Sequence, residues 1–200
     1  MTSRTCHARA QAVLPRIPSA GGNPDRRTVL FGALASGVIS PAAATPLWMT
    51  VPRRLHLIDA RTGGAFNAVY WRDGAYDLET LARINHFMAD WRTGEVVQVA
   101  VSLLDILWRL QLAARFTVPL TLLSGFRSRQ TNAMLREKLG ESVAHRSYHV
   151  RAMAADVRMP GVPSLALAEY AKRLGLGGVG YYSGLDFVHI DSGPRRAWAR

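Results

Sequence analysis

Ser147-Tyr148-His149-Val150-Arg151-Ala152-Met153-Ala154-Ala155-Asp156 is the stretch on which the reading of the chain turns. A polar loop, 141–148, delivers His149, and 153–158 reads as a strand carrying Asp156. A loop histidine seven residues before a strand aspartate can converge with it on one point, because a strand entering from a turn folds back across that distance. Near the C-terminus, Asp186-Phe187-Val188-His189-Ile190-Asp191 adds a second imidazole and further carboxylates. Residues 179–182 and 187–191 read as the two strands of a hairpin, so His189 would come from a neighbouring strand. A zinc hydrolase needs three protein ligands and an open position. The ion activates water and polarises a scissile carbonyl. His149, Asp156 and His189 are the candidate ligands. Asp186, three residues before His189, is a candidate general base. Asp191, two residues after His189 and on its face of a regular strand, either orients the His189 ring or is a rival base. On spacing alone, a surface histidine and a salt-bridged aspartate is the better description.

Outward from this stretch, Gly175, Gly177, Gly178 and Gly180 punctuate the chain before the hairpin, and Ser164 is read as the cap of a helix to Leu174. Upstream, 118–123 is a strand, and Ser128 caps a helix that Gly140 stops. Ser102 to Asp105 has a capping-box-like pattern opening a helix whose buried face is Leu103, Ile106, Leu107, Leu110 and Ala114. Asp77 caps an earlier helix with a face of Leu81, Ile84, Phe87, Met88 and Trp91, closed by Thr93-Gly94. Two short strands, 54–59 and 68–71, precede it. Helices mostly come first and strands late, without βαβ alternation. The expected fold class is therefore α+β, a small antiparallel sheet flanked by helices with the site at the sheet surface.

Residues 1–44 stand apart. The first 25 are polar, basic and interrupted by prolines, which predicts disorder. Arg26-Arg27, a short apolar run from Phe31 to Ile39 and Ala42-Ala43-Ala44 form an export signal of the twin-arginine type. The run is too short and too rich in Gly and Ala for a stable membrane span. The folded domain is expected over 45–200, in the periplasm or cell envelope. The single cysteine, Cys6, lies in the segment to be removed, so a metal must be held by nitrogen and oxygen ligands. Net charge is +11, of which five arginines and one aspartate in 1–44 contribute +4 and the remainder +7. A basic surface suits an anionic polymer such as cell wall. No basic helix interleaved with aromatics and no nucleic-acid motif is present, which argues against nucleic acid as a partner.

The flanking motifs are more specific than the spacing. Ser124-Gly125-Phe126-Arg127-Ser128, then Ser147-x-His149-x6-Asp156, then Gly178-Val179-Gly180-Tyr181-Tyr182, then Phe187-Val188-His189-Ile190-Asp191-x-Gly193-x2-Arg196-x-Trp198 occur in this order. From about Leu55 to Trp198 the chain resembles the YcbK/MepK-like murein endopeptidases. These belong to the wider zinc peptidase group of VanX-type dipeptidases and MepA-type endopeptidases. The resemblance implies zinc held by His149, Asp156 and His189. It implies an Arg127 that binds the substrate carbonyl or stabilises the oxyanion, and peptidoglycan peptides as substrate. Asp186 stands where VanX-type relatives carry a glutamate, so the base is either Asp186 or another group such as Asp191. The leading expectation is an exported endopeptidase cutting peptide cross-links. The alternatives are a cell-wall-binding module without catalysis and a carboxypeptidase on the same scaffold. His145, His56 and His86 read as structural or surface residues. Ser147 either bonds near the metal or shapes the turn, Tyr181 and Tyr182 pack the core or line a groove, and Trp198 closes the core.

Overall fold

The computed structural model describes residues 51–113, 118–140 and 143–200. The expected export signal in 1–44 and the first residues of the expected domain, 45–50, lie outside them, as does Ala114.

The chain opens with a hairpin of β1 (Arg53–Asp59) and β2 (Ala65–Arg72), followed by the two-residue β3 (Ala75–Tyr76). Helices α1 (Leu78–Phe87) and α2 (Val101–Ala113) come next, then β4 (Leu120–Ser124), α3 (Arg129–Leu139), β5 (Ala154–Arg158) and α4 (Ser164–Leu174). Three strands finish the fold: β6 (Gly178–Tyr182), β7 (Phe187–Asp191) and β8 (Arg196–Ala199). All eight strands join one sheet in the order β3-β2-β1-β4-β5-β7-β6-β8.

This corrects the expected small antiparallel sheet in size and in sense. β1 pairs with β4 in parallel, and β6 pairs with β8 in parallel. A parallel pair needs a long crossover, and the segment carrying α1 and α2 supplies it between β1 and β4. The β6–β7 hairpin is antiparallel as expected, and β5 pairs antiparallel with both β4 and β7.

Side-chain alternation along the central strands divides the sheet into two faces. Ala155, Val157, Val188, Ile190 and Val179 join the apolar core with Leu55, Leu57, Leu120 and Leu122. Helix α2 buries Leu103, Ile106, Leu107 and Leu110 against this layer, as its spacing predicts. The intervening residues Asp156, His189, Asp191, Gly180 and Tyr182 occupy the other face, and the site is built there.

Local chemistry explains where the helices begin and end. The Asp77 carboxylate accepts from Thr80 N at 2.9 Å and caps α1. The Ser128 hydroxyl accepts from Thr131 N at 3.0 Å and caps α3, which Gly140 ends at a φ of 60°. Two expectations fail at the α1–α2 junction. Helix α1 stops at Phe87, so Trp91 leaves the helical face and is 53% exposed. The buried Asp90 carboxylate diverts the chain, because it accepts from Arg92 N at 2.9 Å and Ser128 N at 2.8 Å. Ser102 does not open a capping box, since α2 begins at Val101. Asp105 is instead drawn to Arg53 Nη1 and to the Tyr70 hydroxyl, each at 2.7 Å. Ser164 is the first residue of α4 rather than its cap; Pro163 takes the cap position without a side-chain bond.

Candidate metal centre

His149 lies in a short 3-10 turn, Tyr148–Arg151. The Ser147 hydroxyl accepts from His149 N at 3.3 Å and so shapes the turn. Ala152, at a φ of 51°, ends the turn and feeds the chain into β5. Asp156 follows two residues into that strand and stands directly across from His189 on β7. Side chains opposite one another on antiparallel strands share a face, so the loop histidine, the strand aspartate and the hairpin histidine meet. All three are buried, with exposures of 2%, 6% and 8%.

Hydrogen-bond partners decide which ring nitrogen of each histidine points inward. His149 Nδ1 lies 2.7 Å from Gly125 O, which can only accept, so this nitrogen carries the proton and Nε2 presents a lone pair. His189 Nε2 lies 3.0 Å from Asp191 Oδ2 and donates to it, leaving Nδ1 directed inward. His149 Nε2, Asp156 Oδ1 and His189 Nδ1 are then 3.1, 3.1 and 2.9 Å apart. Three acceptors aimed at one point repel unless a cation lies among them. Tetrahedral ligands about 2.0–2.1 Å from zinc would stand roughly 3.3 Å apart, close to the observed separations. The donor set therefore fits a zinc ion; the three residues form the candidate metal-binding group among the described residues.

The surroundings tune the three groups differently, favouring the neutral form of His149, the ionised form of Asp156 and the protonated form of His189. Burial lowers the His149 pKa to about 4, and the Asp156 carboxylate only partly opposes this, so the ring is neutral at pH 7. For Asp156, burial alone would raise the pKa. The two imidazoles more than offset it and hold the carboxyl well below its usual range. For His189, burial lowers the pKa, but its bonds to Asp156 and Asp191 outweigh this and raise it. Asp191 is fully buried, and its pKa falls to about 2 because bonds from His189, Arg196 and Gly193 N overcome the cost of burial.

Arg127 enters from the loop between β4 and α3. Its Nε donates to Ser124 Oγ at 2.9 Å, and its Nη2 donates to Asp156 Oδ2 and contacts His149 Nε2 at 3.0 Å. The arginine expected near the substrate carbonyl is thus brought to the metal-binding group. Asp191 is brought beside His189, but as the acceptor of four donors: His189 Nε2, Gly193 N and both terminal nitrogens of Arg196. Asp186 is not brought to the group. It is exposed at the turn before β7, with a φ of 49°, and it bonds through its backbone, the N–H donating to Ser183 O and the carbonyl accepting from Arg158 Nε at 2.6 Å. His145 is exposed and outside the group.

A cleft of about 780 Å³ opens over Arg127, His149, Asp156 and His189. Trp198 forms part of its wall instead of closing the core, with its ring centroid 5.3 Å from that of His189. β8 places it there, beside Gly180, where any side chain would collide with the indole. Tyr182 lines the cleft while Tyr181 packs on the core, as strand alternation requires. The sequence reading missed Tyr148 and Arg196, whose guanidinium stacks 4.8 Å from the Tyr148 ring centroid and 5.1 Å from that of Trp198. The signal available was Gly193, where a side chain would strike the Tyr148 ring.

Comparison with known proteins places this chain among the M15 peptidases. A family model described as peptidoglycan L,D-endopeptidase MepK matches residues 48–198. Peptidoglycan L,D-endopeptidase MepK of Escherichia coli K12 is 37% identical over 176 residues, covering 86% of this chain and 96% of the relative. A probable peptidoglycan L,D-endopeptidase MepK of Haemophilus influenzae is 32% identical over 177 residues, covering 86% of this chain and 94% of that protein. The chain belongs to the MepK family.

Proposed function

We propose that this protein is an exported, zinc-dependent peptidoglycan endopeptidase that hydrolyses peptide cross-links of the cell wall. The relatives are named for L,D-endopeptidase activity on peptidoglycan. The observation that carries the reading in this chain is the convergence of His149 Nε2, Asp156 Oδ1 and His189 Nδ1 within about 3 Å of one another at the floor of a cleft. These residues would hold the ion. When bound, zinc supplies Lewis-acid polarisation of the scissile carbonyl and activates water near neutral pH.

The chain's own residues do the rest. Gly125 O and Asp191 fix the two imidazole rings, so the ligand set is formed before substrate arrives. Arg127 has Nε committed to Ser124 and Nη2 to Asp156; with the His149 Nε2 lone pair given to the ion, its planar fork leaves Nη1 as the donor for a developing oxyanion. Trp198, Tyr148 and Tyr182 wall the cleft against water. The twin-arginine signal in 1–44 would deliver the folded protein to the periplasm or envelope, and the basic surface would hold it on an anionic sacculus. Among the described residues no helix is long and apolar enough to cross a membrane.

One observation favours a second reading, a cell-wall-binding module without catalysis. Asp156 is the sole carboxylate among the described residues lining the cleft, and neither Asp186 nor Asp191 lines it. Digestion of purified cross-linked muropeptides, with products identified by mass spectrometry, separates the readings. The endopeptidase reading expects cleavage by the wild type and a loss of about 100- to 1000-fold in kcat for Arg127→Ala. Bound zinc with no cleavage would select the binding module, and release of terminal residues alone would select a carboxypeptidase.

A further inference from the structure

The cleft is strongly cationic beyond what the metal-binding group needs. Arg61, Arg92, Arg127, Arg146, Arg196 and Arg200 line it; Arg127 is paired with Asp156 and Arg196 with Asp191, so these two add little to the excess, whereas Arg92 does add to it. Two of these arginines contact an aromatic ring. Trp91 is 53% exposed, and its ring has the Arg92 guanidinium 4.1 Å and the Arg61 guanidinium 5.3 Å from its centroid. Trp91 and Arg61 also line an adjoining depression of about 530 Å³, so the trio stands where two concavities meet.

This trio is built, not incidental. Asp90, 1% exposed, accepts from Arg92 N with one oxygen and from Ser128 N with the other. Phe126 N donates to Met88 O at 2.8 Å, and a side chain at Gly125 would meet Met88 O at 2.6 Å. The 88–92 segment is thereby laced to the 125–128 segment, which carries Arg127 and the carbonyl that orients His149. Arg61 is held from the β1–β2 turn, where Asp59 Oδ1 accepts from its backbone N at 2.7 Å. Asp59 Oδ2 lies 3.6 Å from the Arg61 guanidinium and partly neutralises it, whereas no carboxylate among the described residues pairs with Arg92.

Resting on the peptidase reading, we propose that Arg61, Trp91 and Arg92 form a subsite for a carboxylate-bearing residue of the peptide substrate, beside the scissile bond. The guanidiniums take the carboxylate, with Arg92 the principal partner, and the exposed part of the Trp91 indole takes the aliphatic chain that carries it. Arginine forks suit carboxylates by geometry as well as charge, and an exposed indole gives the chain a rigid apolar surface.

The test uses two probes: a purified cross-linked muropeptide dimer with free side-chain carboxylates, and the same dimer with those carboxylates amidated. The wild type should show a KM about tenfold lower for the free acid, the size expected of a partly exposed charge-assisted pair. The double variant Arg61→Gln/Arg92→Gln should raise KM for the free acid about tenfold with kcat within about twofold, and should abolish the preference. Trp91→Ala should raise KM for both probes. Cleavage that proceeds with equal KM values for wild type and double variant overturns the subsite and leaves the peptidase reading standing. If the wild type cleaves neither probe, the peptidase reading fails, and calorimetric binding of the free-acid dimer decides the subsite separately. Binding weakened in the double variant retains it, and equal binding overturns it.

Discussion

Replacing Asp191 by asparagine distinguishes a residue that holds His189 from one that moves a proton. Asp191 is fully buried and accepts four hydrogen bonds: Oδ2 from His189 Nε2 at 3.0 Å and Arg196 Nη2 at 2.6 Å, Oδ1 from Gly193 N at 2.8 Å and Arg196 Nη1 at 3.0 Å. An amide of the same shape offers one acceptor atom, and its NH2 must face donors whichever way it turns. Either the His189 or the Gly193 donor therefore loses its partner. The Arg196 side chain is 38% exposed, so water can satisfy its share. One buried donor left unpaired costs about 1–3 kcal/mol, and losing the charge on the acceptor adds to this, so metal-free Asp191→Asn should be about 2–3 kcal/mol less stable in urea unfolding. Freed from its acceptor, the His189 ring can turn Nδ1 away, and zinc affinity should fall about 10- to 100-fold. At saturating zinc, kcat should recover to near wild type. Unchanged stability and zinc affinity, with kcat falling more than about 100-fold at saturating zinc, would make Asp191 the base and refute its assignment as a positioning residue.

Asp186 is exposed at a turn and bonds through its backbone, so Asp186→Asn should leave kcat/KM for muropeptides within about twofold, a range set by ordinary surface substitutions. A large loss in steady-state assays would restore it as the base. Asp90 has its pKa lowered from 3.8 to about 2, because its bonds from Thr131, Ser128 and Arg92 N overcome the opposing effect of burial. A depressed carboxylate adds stability above its unfolded pKa and loses it as pH falls, so its share of about 2 kcal/mol should disappear between about pH 4 and pH 2. Urea midpoints across that window should fall less in Asp90→Ala than in wild type; parallel curves would count against the ionic lock. A methyl at Gly180 would meet the Trp198 indole at 2.5 Å. Gly180→Ala should therefore displace the ring, cost about 1–3 kcal/mol, shift tryptophan emission and raise KM; unaltered emission and KM would remove Trp198 from the cleft wall.

The candidate site was more legible in the sequence than the sheet that carries it. Asp156 lies between Ala155 and Val157, and His189 between Val188 and Ile190, so a two-residue period puts both polar groups on the face away from the core. Ser128 and Gly140 mark their helix ends because capping and left-handed turns are local chemistry. Strand pairing is not local. Nothing within 53–59 says that β1 pairs in parallel with β4, since that partner is chosen by α2 packing on the sheet. β8 is four residues, Arg-Ala-Trp-Ala, mostly exposed, and it carries no apolar alternation to announce it. Trp91 continues a helical period that the buried Asp90 carboxylate interrupts through a partner 38 residues away. Asp186 and Asp191 flank His189 similarly in sequence. The left-handed turn at Asp186 and the enclosure of Asp191 by Arg196 are what separate their roles.

The proposed function rests on His149, Asp156 and His189 together holding one zinc ion. Metal content of the purified protein after equilibrium dialysis against buffered zinc tests it most directly, with each ligand changed to alanine in turn. About one zinc per wild-type chain is expected, with affinity lowered by at least about 100-fold in each of His149→Ala, Asp156→Ala and His189→Ala while near-UV circular dichroism shows each still folded. Sub-stoichiometric zinc in the wild type, or affinity unchanged in any folded variant of the three, would contradict it.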